Sequence, residues 1–346
     1  MPFRRTSVVA VIGLASLATA ACGGAKPKPV AAVTPETKVS EGTVTTASGP
    51  LAPLTGVVDP SGATKSRPSI AVKIDNAQEA RPQSGLDVAD IVYEEVVEGG
   101  VTRFIAIFHS TAPALAGPVR SVRPMDPDIL SAYHGLVAYS GGIPAFVSML
   151  RKAPVQDVNV DMATDAYSWD KNRRAPHNEY VSPEKLWPKA KGDKADPPQA
   201  MFDFRGAGEP FGDADAVGVA INYSPRASAG YDWDAASGSY KRTENGSAHT
   251  ASSGAQIAPQ NVVIQFVTTK TLGYKDQSGT SVVESNVVGS GEAWILSNGR
   301  ITKGRWSKSS ETAATKYTDS AGNPVKLSAG RTWVHFAPVG TPVTVK

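Results

Sequence analysis

Three arginines are the residues best suited to chemistry in this chain. Arg103 lies inside VTRFIAIF (101–108), an otherwise apolar run, and Arg120 and Arg123 follow in GPVRSVRP (117–124). A guanidinium taken out of water must find an acceptor, because an unpaired buried charge is strongly unfavourable. Its planar fork of N–H groups fits a carboxylate or a phosphate oxygen pair. Two outcomes are open. The arginines could form an ion-pair clasp with Asp75, Glu95, Glu98, Asp126 and Asp128, or an anion pocket near one end of a sheet. Gly141-Gly142 ahead of Pro144 adds a glycine turn entering a helix, whose free N–H donors would suit the same anion.

A second polar stretch, DAYSWDKNRRAPHNEYVSP (165–183), carries Arg173, Arg174, His177 and Asn178 among Tyr167, Trp169 and Tyr180. Aromatic rings interleaved with polar donors suit a carbohydrate or peptide surface; the plainer reading is a loop pinned by its aromatics. Glu94, Glu95 and Glu98 with Asp90 could supply an acid/base pair, but a solvated strand edge is the simpler expectation. Ser182-Pro-Glu-Lys185 matches the SxxK of penicillin-recognising serine enzymes, yet no KTG or SxN companion occurs. Serine before proline is what a helix N-cap looks like. There is no GxSxG, HExxH or Walker loop, and His109, His134, His177, His249 and His335 lack local ligand spacing. No metal and no cofactor is expected.

The elements that must position these groups fall into two parts. From 53 to 205, strand patterns at 68–75, 91–97, 101–108 and LVAYS (136–140) alternate with helix starts at Asp126-Pro127, Pro144 and Ser182-Pro183. This predicts a mixed α/β domain. A stretch rich in Pro, Gly and Asp (191–213) then breaks the pattern. Beyond it only short strands with Ser-Gly, Asn-Gly and Ala-Gly-Asn-Pro turns occur, so residues 206–346 are expected to form a smaller all-β domain. The fold class is therefore α+β.

The chain starts with Arg4 and Arg5, an apolar run from Val8 to Leu17 and small residues up to Cys22. That reads as a signal peptide over 1–21. Cys22 is the only cysteine and stands where a bacterial lipobox would put it, after Thr19-Ala20-Ala21. Thr19 departs from the usual Leu, Val or Ile. A diacylglycerol thioether on Cys22 would anchor the protein to a membrane by roughly 0.8 kcal/mol per buried methylene. Residues 22–52 then form a flexible, proline-bearing linker. A lone cysteine excludes a disulfide framework. Charge is nearly balanced: removing Arg4 and Arg5 from the 35 Lys plus Arg leaves 33 against 32 acidic residues. Such a balance argues against nucleic acid as a partner.

The lipobox and linker, RPSIAVKIDN (67–76), ARPQSGLDVADIVYE (80–94), VEGGVTRFIAIF (97–108), GPVRSVRP and the APHNEY loop together resemble the YerB-like family of bacterial lipoproteins. The likeness continues through YDWDAASGSYKRTENGSAH and NVVIQF. It implies a two-part domain of unknown function in an extracytoplasmic lipoprotein, with an α/β first half and a β-rich second half. The family's recurrent motifs fall on Asp75, Asn76, Arg81, Glu98, Arg103, Arg120, Arg123, His177 and Asn178, and bring no catalytic roles with them. The expectation is a lipid-anchored protein on the outer face of the cell membrane. It would bind or scaffold an anionic envelope component such as a wall polymer, or an envelope protein. The alternative is an enzyme acting on wall glycan or a phosphate-linked precursor, with Asp75, Glu98 or His177 as acid or base.

Overall fold

The computed structural model describes residues 49–346. The expected signal peptide, the lipidation position Cys22 and the linker up to residue 48 lie outside the described residues. The described residues form an α+β structure around one large mixed sheet. Its centre comes from the first half of the chain. β1 (Ile70–Asp75), β2 (Ile91–Val96) and β3 (Thr102–Phe108) pair antiparallel in the order β2-β3-β1. α1 (Asp126–Leu130) leads to β4 (Leu136–Ala138), which joins β1 in parallel. α2 (Pro144–Lys152) then leads to β5 (Gln156–Asp157) at the edge.

No helix follows Ala195 among the described residues, in keeping with the turn-rich second half. Its strands do not all stand apart, however. Thr332–Pro338 pairs in parallel with β2, and Asn261–Val267, Gly289–Ser297, Arg300–Lys308 and Lys316–Asp319 extend the same sheet outward. Gly218–Ser224, Ala227–Asp234, Ser239–Glu244, Ser247–Ala248 and Val343–Val345 make a separate five-stranded antiparallel sheet.

Strand alternation sorts the core into two sides of the large sheet. Ile70, Val72, Ile74, Val92, Phe104, Ala106 and Phe108 pack into one side, together with Trp333, Tyr231 and Tyr240. Ala71, Ile91, Tyr93, Ile105 and Ile107 pack into the other with Val122, Met125, Tyr139 and Phe146. The central strands are thus covered on both faces, which explains the near-continuous apolar run in β3.

Burial overturns two expectations. Asp90, Glu94, Glu95 and Glu98 are all buried, so β2 presents no solvated carboxylate edge. The strand lies between β3 and Thr332–Pro338, and a central strand has no exposed edge to offer. Asp126-Pro127, read as a helix start with the aspartate ahead of the helix as its cap, instead places Asp126 inside the first turn of α1. Its Oδ1 accepts a hydrogen bond from Lys73 Nζ at 2.7 Å and its Oδ2 one from the Arg123 N–H at 2.8 Å. Ser182 does precede α3 (Pro183–Leu186) in an extended conformation, though its hydroxyl makes no capping bond.

Candidate functional site

The charged residues of β1, β2 and β3 divide according to the same alternation. Lys73 and Asp75 on β1, Glu95 on β2 and Arg103 on β3 point to one side; in register, Asp75 and Glu95 flank Arg103. The arginine-bearing segment crosses this end of the sheet. Ala116 and Val181 exchange backbone hydrogen bonds, and the Val119 N–H donates to Glu179 O at 2.7 Å. On its other side the Asp75 N–H donates to Pro118 O and the Arg120 N–H to Lys73 O, each at 2.9 Å. The segment therefore works as a short extra strand between β1 and the hairpin of β6 (Tyr167–Trp169) and β7 (Glu179–Val181). Gly117 makes the close approach possible. At φ +151° its backbone passes so near the hairpin that a Cβ would lie 2.9 Å from Glu179 O.

The three arginines meet different fates. Arg123 donates from Nε and Nη2 to Glu98 Oε2 at 2.9 and 2.6 Å, and from Nη1 to Val122 O at 3.0 Å. It is clasped. Arg120 Nε lies 3.0 Å from Asp75 Oδ2 and its side chain keeps 24% exposure, so this pair stands at the rim. The contact is an ion pair without good hydrogen-bond alignment, since Arg120 Nε has no aligned acceptor. Arg103 is only 6% exposed and has no carboxylate within salt-bridge reach among the described residues. Its Nη1 donates to Ser121 O at 3.2 Å, while its Nε is buried with no partner. Burial and the neighbouring Arg123 and Arg120 pull its pKa down to about 10, against the opposing pull of Asp75 and Glu98. At neutral pH it remains a cation.

The loop residue His177 joins this group. Its Nδ1 lies 2.7 Å from Asp75 Oδ2. Burial pushes the Asp75 carboxyl up, but Arg120, Arg103, the Ala77 N–H and His177 together hold it below the ordinary value. An ionised Asp75 can only accept, so Nδ1 carries a proton and directs it at the carboxylate. Arg173 pins the hairpin by donating to Ala80 O and Pro82 O at 2.9 and 2.8 Å. Asn178 takes part through its backbone: its carbonyl accepts from the Asp170 N–H at 2.8 Å.

Asn76 falls on the opposite side of the sheet. Its Nδ2 donates to Thr102 Oγ1 at 2.7 Å and to Glu244 Oε1 at 3.2 Å, and its Oδ1 accepts from Arg81 and Gln83. It belongs to a second buried network. There Arg242, with no exposure, donates to Glu94 Oε2 at 2.8 Å, lies 2.6 Å from Glu244 Oε2 and bonds His249 Nδ1. His335 hydrogen-bonds the Tyr223 hydroxyl through Nδ1 and the Tyr231 hydroxyl through Nε2, and stands 3.2 Å from Glu94 Oε2. Trp333 stacks beneath the Arg242 guanidinium at 4.6 Å.

Sequence reasoning missed Lys73, Ser140 and Glu179. Lys73 is buried between Glu95 and Asp126. Ser140 donates to Glu179 Oε2 at 2.8 Å, and Glu179 Oε1 is buried without a partner. The signal for Lys73 was present: a charge in the alternating strand IAVKID is as anomalous as Arg103 in VTRFIAIF. Buried side-chain atoms without a partner on the Arg103 side of the sheet include Arg103 Nε, Glu95 Oε2 and Glu98 Oε1. A cleft of about 500 Å³ lined by Phe266, Trp294 and Trp306 opens elsewhere, and none of these charged residues lines it. Among the described residues no His, Asp and Glu group has the geometry of a metal site.

Residues 54–196 match the N-terminal domain, and residues 219–334 the C-terminal domain, of a family described as proteins of unknown function, DUF3048. The chain belongs to the DUF3048 family. A relative from Bacillus subtilis (strain 168), named "Putative lipoprotein YerB", is 28% identical over 306 residues, spanning 83% of this chain and 86% of its own. The crystal structure of the YerB protein from Bacillus subtilis superposes with a TM-score of 0.72 at 25% identity, covering 85% of this chain and 99% of that one. The expected resemblance to YerB-like proteins is thus correct. Both DUF3048 segments contribute to the site region, since the N-terminal segment carries the arginines and the C-terminal segment supplies Arg242 and Glu244 on the reverse side. No described helix of this DUF3048 protein is long and apolar enough to cross a membrane.

Proposed function

We propose that this DUF3048 protein is a lipid-anchored extracytoplasmic binding protein whose Arg103–Arg120 corner receives an anionic group of an envelope component. One observation carries the reading: Arg103 is a buried cation with an unpartnered Nε and no carboxylate in reach. Leaving a guanidinium so poorly paired is unfavourable, and an arriving phosphate or carboxylate would offset that. Arg120 stands at the rim and His177 is held beside it by Asp75. Arg123 and Glu98 form the wall that keeps the corner in shape.

Calorimetric titration with inorganic phosphate tests the reading. The wild-type protein is expected to bind, and Arg103→Met to lose at least roughly tenfold in affinity while keeping its circular dichroism spectrum. A wild-type protein with no phosphate affinity, or an Arg103→Met variant that binds as well, would overturn it. Anchoring is tested separately: Cys22→Ser should move the protein from the membrane fraction to the soluble one. The lipobox sequence and the relative's name support that part.

The Asp75–His177 pair favours a second reading, cleavage of a phosphate-linked precursor. An imidazole whose Nδ1 is held by a carboxylate presents a basic Nε2, as a general base requires. Release of phosphate from a sugar phosphate, abolished by His177→Gln, would favour this reading over binding alone.

A further inference from the structure

The cleft that the arginines do not line lies where the chain leaves Thr332–Pro338 of the large sheet and crosses to Val343–Val345 of the five-stranded one. Its walls follow from strand alternation. Ser290, Glu292 and Trp294 are spaced two apart on Gly289–Ser297, so their side chains project to one face. Phe266, on the neighbouring strand Asn261–Val267, meets Trp294 edge to face with ring centroids 5.5 Å apart. Trp306 stands opposite Gly291 in register, and a Cβ at Gly291 would lie 2.6 Å from the indole Nε1. The missing side chain at Gly291 is what lets this second indole reach the cleft.

Both indole N–H groups are already engaged. Trp294 Nε1 donates to Glu292 Oε1 at 2.6 Å, and Trp306 Nε1 to Phe266 O at 2.9 Å. The rings therefore offer a ligand only carbon. Lys303 Nζ lies 3.6 Å from the centre of the Trp294 ring yet does not line the cleft, so it covers the indole face turned away from it. Glu292 is the one charged group in the lining; beside it stand the hydroxyls of Thr268, Ser290 and Thr341 and the amide of Asn286.

This lining selects among ligand classes. It holds no cation, so it does not suit an anion. A wholly apolar guest would leave the carboxylate and the hydroxyls unmatched. A peptide backbone would bring carbonyl acceptors, and neither indole N–H is free to meet them. A sugar ring has C–H faces for the aromatic carbon and hydroxyls that both donate and accept. The cleft's volume of about 500 Å³ falls within the roughly 300–1,000 Å³ of small-ligand sites. We propose that this cleft binds a neutral mono- or disaccharide, with Phe266 and Trp294 as the apolar wall and Glu292 as the hydroxyl acceptor. The site is separate from the arginine corner and stands or falls without it.

The test titrates the full mature protein, by calorimetry and tryptophan fluorescence, with maltose, cellobiose and N,N′-diacetylchitobiose, and with decaproline as the peptide control. At least one disaccharide is expected to bind with a Kd of about 1 mM or tighter and to shift the tryptophan emission. Ser290→Trp, at an exposed strand position, should fill the cleft and abolish that binding while the melting temperature holds. Trp294→Ala should weaken it at least roughly tenfold, and Glu292→Gln by less. If no disaccharide binds, or if binding is unmoved by Ser290→Trp and Trp294→Ala, the proposal is overturned. Decaproline bound in preference to every sugar, and lost on Ser290→Trp, would overturn it too and assign the cleft to a proline-rich peptide.

Discussion

The two charged clusters lie back to back on the same three strands, yet only one of them is closed. Facing the second sheet, Arg242 has Glu94, Glu244, Tyr231 and His249 around it and an indole beneath. Facing the other way, Arg103 has one backbone carbonyl. Both guanidinium groups are buried, so the difference is in partners and not in depth. A cation with a full set of acceptors serves the fold. The one without them is where the proposed anion would sit. The difference teaches that burial of a charge is no guide to its role until its hydrogen bonds are accounted for.

The largest test of the contrast is Arg242→Ala. It would strand Glu94 and Glu244 without a counter-charge in a fully buried place, at a cost of about 3–5 kcal/mol. Chemical denaturation should read that as a large drop in midpoint, or as a protein that does not fold. Arg123→Ala comes next. It leaves Glu98 buried and unpaired, and a loss of about 2–3 kcal/mol is expected because the pair is nearer the rim.

Acidity separates the faces as well. Burial raises the Glu95 carboxyl to about 7, Lys73 opposing and Asp126 reinforcing the shift, from an ordinary 4.5. A carboxyl whose folded value lies above its unfolded value gives up stability as pH climbs from the lower value through the higher. The protein should therefore lose stability between about pH 4.5 and 7 through this group, and Glu95→Gln should flatten that slope in thermal melts. Glu94 behaves in the opposite sense. Arg242, with His335 and Thr102, outweighs burial and holds it well below the ordinary range. Its contribution is present at neutral pH and lost as pH falls below the unfolded value, so Glu94→Gln should flatten the acid limb.

The smallest effect is expected of Arg103→Met. Replacing a poorly paired buried cation by an apolar side chain of similar length should leave stability within about 1 kcal/mol, or raise it slightly. A loss as large as that of Arg242→Ala would mean that Arg103 is a structural partner after all, and the contrast would collapse.

Part of this was legible in the sequence. Arg103 stood out because a charge interrupts an apolar strand. The α/β pattern of the first half and the helix-free second half were readable from periodicity and turn residues. The closed cluster was not. Glu94 meets Arg242 and His335 only through strand pairings between distant parts of the chain, and no local spacing announces such a meeting. The joining of both halves in one sheet was hidden for the same reason. Trp169 and Glu179 were visible as residues but became neighbours only through the hairpin register.

That register of distant strands has a bearing on how the protein comes into being. β2 is flanked on one side by β3 and on the other by Thr332–Pro338, a strand far along the chain. A polypeptide emerging N-terminus first would hold β2 with one edge open until that distant strand had appeared. Closure of the central sheet is therefore a late, non-local event, of the kind that makes folding slow.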